Sequence, residues 1–217
     1  MNYREQRAYL NCEKRIFAGA GKYDIPEIEP VDADLTDAEL LGFNYALHEK
    51  NPERKILHFY LDDYQFERVW SSPDRYLDTL RRFKAVLTPD FSMYADFPQA
   101  VSMFNHYRKQ WCGAYWQMNG VTVIPTVGWA EEPSFEWCFD GIPKHSLVSI
   151  SNIGASKYKD AKGLFLKGWS KAIETLEPKK ILLVGKKYPW MPMPDCEVVT
   201  LQSPNLIQKQ LKCERRA

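Results

Sequence analysis

The sequence predicts an α/β fold, a mostly parallel sheet of alternating strands and helices with a compact or incomplete TIM-barrel-like form. Three observations lead there. Short aliphatic runs recur at residues 56–61, 85–88, 121–127, 147–150 and 181–184, each the length of a buried strand. The segments between most of them carry helical spacing, and a parallel connection needs a crossover that is usually a helix. Five or six strands also fall short of an eight-stranded barrel of about 250 residues, which keeps an open doubly wound sheet as the alternative.

Each element has its own warrant. Residues 23–34 hold Pro26 and Pro30 among alternating apolar and acidic residues, which predicts an extended arm. Thr36-Asp37-Ala38-Glu39 has the spacing of a capping box, so a helix is expected through Leu40, Leu41 and Leu47. Ser72-Pro73 opens a second helix with Tyr76, Leu77, Leu80 and Phe83 on one face. The longest helix spans 98–118, where Val101, Phe104, Tyr107, Trp111, Tyr115 and Met118 trace an apolar stripe and Asn119-Gly120 stops it. A short helical turn follows near 135–139. Leu164, Phe165, Trp169, Ala172, Ile173 and Leu176 then mark an amphipathic helix ended by Pro178. Three prolines in 188–194 make the next connection irregular, and a last strand is expected near 198–201. Ser203-Pro204 opens a final helix whose Lys209, Lys212, Arg215 and Arg216 make the tail basic.

Composition bounds the rest. With 217 residues, 45% hydrophobic and 14% aromatic, the chain can bury one substantial core. The absence of a compositional break predicts one domain over 1–217, with 1–50 an arm and helix packing on the core and 203–217 a basic C-terminal helix. A formal net charge of +1, from 29 basic and 28 acidic residues, lacks the global footprint of a nonspecific nucleic-acid binder. No run approaches the roughly 20 apolar residues of a membrane span, and residues 1–7 are too polar for a secretory leader, so no membrane partner is expected. Cys12, Cys112, Cys138, Cys196 and Cys213 are odd in number and form no C-x-x-C pair, which predicts reduced thiols in a cytoplasmic protein.

In either architecture ligands meet the loops at the carboxyl ends of the strands. Three of those ends are acidic: Asp62-Asp63, Asp90, and Glu131 after Gly128-Trp129-Ala130. Carboxylates gathered there bind a hard divalent cation such as Mg or Mn through oxygen, or divide acid and base roles if burial separates their pKa values. Asp62, Asp63 and Asp90 are the candidate metal ligands, with Glu131 joining them as a candidate catalytic group. The other two ends carry Ser149, Ser151, Asn152 and Gly154, then Gly185 and Lys186, whose hydroxyls, backbone N–H groups and ammonium suit an anion such as phosphate. Trp129, Trp137, Trp190 and Tyr64 fall near the same mouth, where aromatics stack a base or sugar.

Several of these segments together resemble one family. Residues 61–70 (LDDYQFERVW), 86–92 (VLTPDFS), 123–130 (VIPTVGWA) and 134–143 (SFEWCFDGIP), with Gly42-Phe43-Asn44 and 149–154 (SISNIG), are similar to domain of unknown function 4417 over about residues 23–187. The resemblance implies a protein of bacteriophages, mobile elements or their bacterial hosts, acting in the host cytoplasm if phage-encoded. It supplies no catalytic residue. Two functional expectations therefore stand: a metal-assisted enzyme acting on a phosphorylated or nucleotide-like substrate, and a noncatalytic accessory protein that binds a host protein or nucleic acid through aromatic loops and a basic tail.

Overall fold

Alternation of buried side chains along short strands decides the architecture. The structure is a computed structural model that describes residues 10–155, 159–202 and 206–207. A hairpin of β1 (Gly19–Ala20) and β2 (Ile25–Pro26) precedes β3 (Glu39–Gly42) and β4 (Lys55–His58). Then come α1 (Arg68–Ser71), α2 (Leu77–Leu80), β5 (Ala85–Leu87), α3 (Gln99–Met118), β6 (Val123–Ile124) and β7 (Thr126–Val127). The chain continues through β8 (Leu147–Ser151), α4 (Lys159–Leu176), β9 (Lys180–Val184) and β10 (Glu197–Leu201). Two four-stranded sheets result, β3-β4-β5-β6 and β7-β8-β9-β10, and every pairing in them is parallel. The mostly parallel α/β arrangement is therefore present. No barrel closes among the described residues, which favours the open-sheet alternative, and strand order within each sheet is consecutive.

The two sheets meet at a proline. Pro125 divides β6 from β7, and its missing N–H interrupts the ladder. Val123 and Ile124 pair with Val86 and Leu87 on one side, while Thr126 and Val127 pair with Ser149 and Ile150 on the other. Across the step, the Thr126 N–H donates to Thr88 Oγ1 (2.8 Å) and Thr126 Oγ1 donates to the Thr88 carbonyl (3.0 Å).

Period-two alternation then assigns the cores. Leu57, Val86 and Val123 face α1, α2 and α3, in a cluster with Phe66, Trp70, Leu80, Trp111 and Trp116. Val148, Ile150, Ile181 and Leu183 face Phe165, Trp169, Ala172 and Leu176 of α4. The opposite faces of both sheets share one cluster, in which Leu40, Ile56, Ala85, Leu87 and Ile124 meet Leu147, Leu182 and Val184. Each fully buried Leu or Ile contributes about 2 kcal/mol of apolar burial.

Two sequence expectations are corrected. The segment expected to be a helix from Thr36 is instead β3, followed by a 3₁₀ turn over Phe43–His48. Pairing Leu40 with Ile56 and Leu41 with Leu57 buries Leu40 in the shared core, and such tertiary gains override weak local propensity. The Asp34 carboxylate accepts the Thr36 N–H (2.9 Å), so the polar residues here make a local turn instead of a helix cap. The second correction concerns α3. Its expected stripe is only partly inside: Trp111 is buried, but Val101, Phe104 and Met118 are 43%, 40% and 52% exposed. Ser102, Asn105, His106, Lys109 and Gln110 are buried in their place. The reason lies in what α3 packs against. Asn105 Nδ2 donates to the Ser92 carbonyl (2.5 Å), and His106 Nε2 and Gln110 Nε2 both donate to the Asp140 carbonyl (2.9 and 3.3 Å). Buried loop carbonyls need donors, and this face of the helix supplies them.

The expected C-terminal helix lies outside the described residues apart from Leu206 and Ile207, which are helical. Among the described residues no helix is long and apolar enough to cross a membrane.

Candidate functional site

A cavity of about 570 Å³ opens at the carboxyl ends of β4, β5, β7 and β8. From β4 come Tyr60, Leu61 and Asp62; from β5, Asp90, Phe91, Ser92, Met93 and Tyr94; from β7, Gly128 and Trp129; from β8, Ser151, Ile153 and Gly154. Leu164 and Phe165 of α4 close one wall. This is the end of the sheets at which the sequence places the site.

The expected site residues divide into three groups. Asp62, Asp90, Trp129, Ser151 and Gly154 line the cavity together. Asp63, Ser149 and Asn152 serve the fold that surrounds it. The Asp63 carboxylate accepts both the backbone N–H (3.1 Å) and the hydroxyl (2.8 Å) of Ser92, and Arg108 Nη2 lies 3.9 Å away. Ser149 is fully buried and shares a 3.0 Å hydrogen bond with the Tyr60 hydroxyl. Asn152 Nδ2 donates to the Lys186 carbonyl (2.5 Å), while its Oδ1 accepts the Lys186 N–H (3.2 Å), so β8 and β9 are clamped just past their ends. Gly185, between them, has φ +138°, and a Cβ there would overlap Asn152 Oδ1. Glu131, Lys186 and Tyr64 form the third group, outside the cavity lining. The Glu131 carbonyl starts a 3₁₀ turn by accepting the Ser134 hydroxyl and N–H (2.6 and 2.8 Å), and Tyr64 is 80% exposed.

Two consequences follow for the chemistry. Among the described residues no group of three or more His, Cys, Asp and Glu side chains is placed to hold a metal ion. The expected Asp62, Asp63 and Asp90 set is not assembled, because Asp63 is committed to Ser92. The anion cradle is likewise dispersed, with Ser149 and Asn152 bonded inside the fold. Among the described residues the lining carries two aspartates and neither Lys nor Arg. Such a wall receives hydrogen-bond donors and cations and repels a bare phosphate.

Sequence reasoning missed the aromatic floor and the helix behind it. Tyr60 is buried, and burial, then the Asp90 charge, push its phenol well above the ordinary range, so it stays protonated. Phe91 lies under the Arg108 guanidinium at 3.6 Å, and the same guanidinium binds Glu67 at 2.6 Å. Trp129 packs on Phe165 with centroids 5.7 Å apart. The polar residues of α3 at spacings of three and four were the available signal: Ser102, His106, Lys109 and Gln110 describe a second, polar stripe as regular as the apolar one.

Comparison with known proteins identifies the family. No solved structure matches the chain. The Gene 1 protein of Mycobacterium phage L5 is 42% identical over 172 residues, which cover 78% of this chain and 74% of the relative. The Gene 1 protein of Mycobacterium phage D29 is 40% identical over 172 residues, 78% of this chain and 63% of that relative, so the match spans less than two thirds of the D29 protein. Residues 17–202, which contain all the strands that line the cavity, match the family described as Domain of unknown function (DUF4417), and the chain belongs to that family.

Proposed function

We propose that the protein is an enzyme-type binder of a ring-bearing, nucleoside-like small molecule, held in the cavity at the strand ends. The observation that carries this reading is the cavity itself: about 570 Å³, within the range of small-molecule sites, with apolar and aromatic walls and a few convergent polar groups. Asp62 and Asp90 accept hydrogen bonds from ring amino groups or sugar hydroxyls. Trp129 and Tyr94 offer ring faces for stacking. Where the ligand carries a phosphate, the Ser151 hydroxyl is a lining donor for it; Ser151 Oγ also accepts the Ile153 N–H (3.3 Å).

The test is a thermal-shift screen of wild type, Asp62→Asn and Asp90→Asn against nucleosides and nucleotides, each with and without Mg²⁺. At a hundredfold excess over Kd, a ligand stabilises the native state by about 2.7 kcal/mol, roughly 5–10 °C in a chain of this size. A shift in wild type that is lost in both variants supports the reading, and those ligands then go forward to turnover assays. No shift with any of them overturns it in favour of an accessory protein that binds a host macromolecule.

A further inference from the structure

Gly128 sits where β7 ends, and the sign of its φ does not call for glycine. Gly154 and Gly185, past the ends of β8 and β9, have φ of +91° and +138°, a region in which a side chain is strained. Gly128 does not share it. The other use of a glycine is space, where a ligand or a second backbone comes close. A Cβ built at position 128 would stand 3.3 Å from Met93 Cε and 3.8 Å from Asp90 Oδ1. The second distance is ordinary van der Waals separation, and the first meets the terminal methyl of a flexible side chain that can move aside. The protein itself therefore has room for alanine at this position. Gly128, Met93 and Asp90 all line the cavity, so what a methyl would take up is space offered to a ligand.

The position is held from both sides. Val127 pairs with Ile150 of β8, and the two hydrogen bonds between Thr126 and Thr88 tie this strand to the segment that leads into Asp90. Trp129, next in the chain, lays its indole against Gly168 and Phe165 of α4, so the neighbouring ring is seated on the helix. We propose that Gly128 is the specificity-determining residue of the cavity: its bare backbone is the surface against which a planar nucleobase lies, with a ring amino or imino N–H donating to Asp90 Oδ1. The inference rests on the nucleoside reading above and deepens it, since it assigns the base, and not the sugar, to Asp90. A Cβ projects about 1.5 Å beyond its Cα and would lift the ring by a comparable amount. An N–H···O bond already near its limit at about 3.2 Å does not survive such a displacement.

The experiment measures Kd by isothermal titration calorimetry for wild type, Gly128→Ala and Gly128→Val, and records the Tm of each protein without ligand. The probes are adenosine, guanosine and cytidine, together with their N-methylated free bases, which lack the sugar. The Tm of Gly128→Ala should equal or exceed that of wild type, because alanine restricts the unfolded chain where the native backbone accepts it. Its Kd for the nucleoside that wild type binds most tightly should rise roughly tenfold or more, the effect of losing a hydrogen bond to a charged acceptor. The matching free base should lose affinity by the same factor, and Gly128→Val should weaken both further. An unchanged Kd in Gly128→Ala overturns the inference and leaves the cavity reading standing. A loss seen with the nucleoside and absent with its free base also overturns it, because the sugar would then lie at Gly128. So does a Tm well below wild type in Gly128→Ala, which would show that the glycine serves the fold. If no probe binds wild type, the cavity reading falls and this inference falls with it.

Discussion

Replacing Gly168 by alanine should destabilise the protein, although the same change one and a half turns earlier should stabilise it. Both Gly163 and Gly168 lie within α4, where alanine is favoured over glycine by about 1 kcal/mol per exposed interior position. At Gly163 a Cβ would meet nothing within 4 Å, so Gly163→Ala gains that full amount. At Gly168 the added methyl would overlap the Trp129 indole, a rigid ring that also packs on Phe165. Overpacking of this kind costs about 1–3 kcal/mol, which exceeds the propensity gain and leaves a net loss of about 1 kcal/mol. The two variants should therefore differ by about 2 kcal/mol, or roughly 4–8 °C in Tm for a chain of this length. Differential scanning calorimetry of wild type and both variants reads the ordering directly. Because Trp129 lines the cavity, its fluorescence should also change in Gly168→Ala and stay constant in Gly163→Ala. Equal stabilisation by the two substitutions would mean that the indole does not lie on that face of α4, and the cavity wall would have to be redrawn.

Three further outcomes follow from the same geometry. Asn152→Ala removes both bonds to the Lys186 backbone and leaves those groups to find new partners in a half-buried loop, so urea unfolding should show a loss of about 2–3 kcal/mol. Asp63→Ala should cost about 1–2 kcal/mol through Ser92, and, because Asp63 does not line the cavity, ligand contacts should be spared when Tm is compared with and without a bound nucleoside. His106 gives a pH dependence: burial, then the Lys109 charge, hold its folded pKa well below 6.5. Its contribution to stability is therefore full above the unfolded value near 6.5 and is lost as pH falls below that, at up to about 1.4 kcal/mol per pH unit. Melting curves between pH 7.5 and 5 should be steeper in wild type than in His106→Gln, and parallel curves would contradict a neutral buried imidazole.

The parts of this fold readable from the chain are those where local pattern and tertiary contact agree. The run after Lys55 is a strand, the helix from Gln99 to Met118 ends at Asn119-Gly120, and α4 buries Phe165, Trp169, Ala172 and Leu176 as its spacing requires. Disagreement marks the places where distant groups decide. Leu40 and Leu41 read as helical until β4 offers them a partner strand, and the polar side of α3 turns inward because carbonyls at Ser92 and Asp140 need donors. The site divides in the same way. Strand ends are visible in sequence, which is why Asp62, Asp90, Trp129, Ser151 and Gly154, all lining the cavity, could be singled out as candidates. Which of two adjacent polar residues faces a ligand depends on half a turn of backbone, and Asp63, Ser149 and Asn152 were turned to the fold. Lys109, buried on the polar face of α3, carries no strand-end signal and becomes visible only in the fold.

The central claim is that a nucleoside-like ligand binds at the strand ends through Asp62 and Asp90, and its most direct test is where a ligand lands. Backbone amide NMR shifts recorded while titrating the nucleoside that gives the largest thermal shift should move most at Asp62, Asp90, Trp129 and Ser151, with a single Kd that weakens at least tenfold in Asp90→Asn. Shifts centred elsewhere, such as on the hairpin of β1 and β2, or an unchanged Kd in the variant, would contradict it.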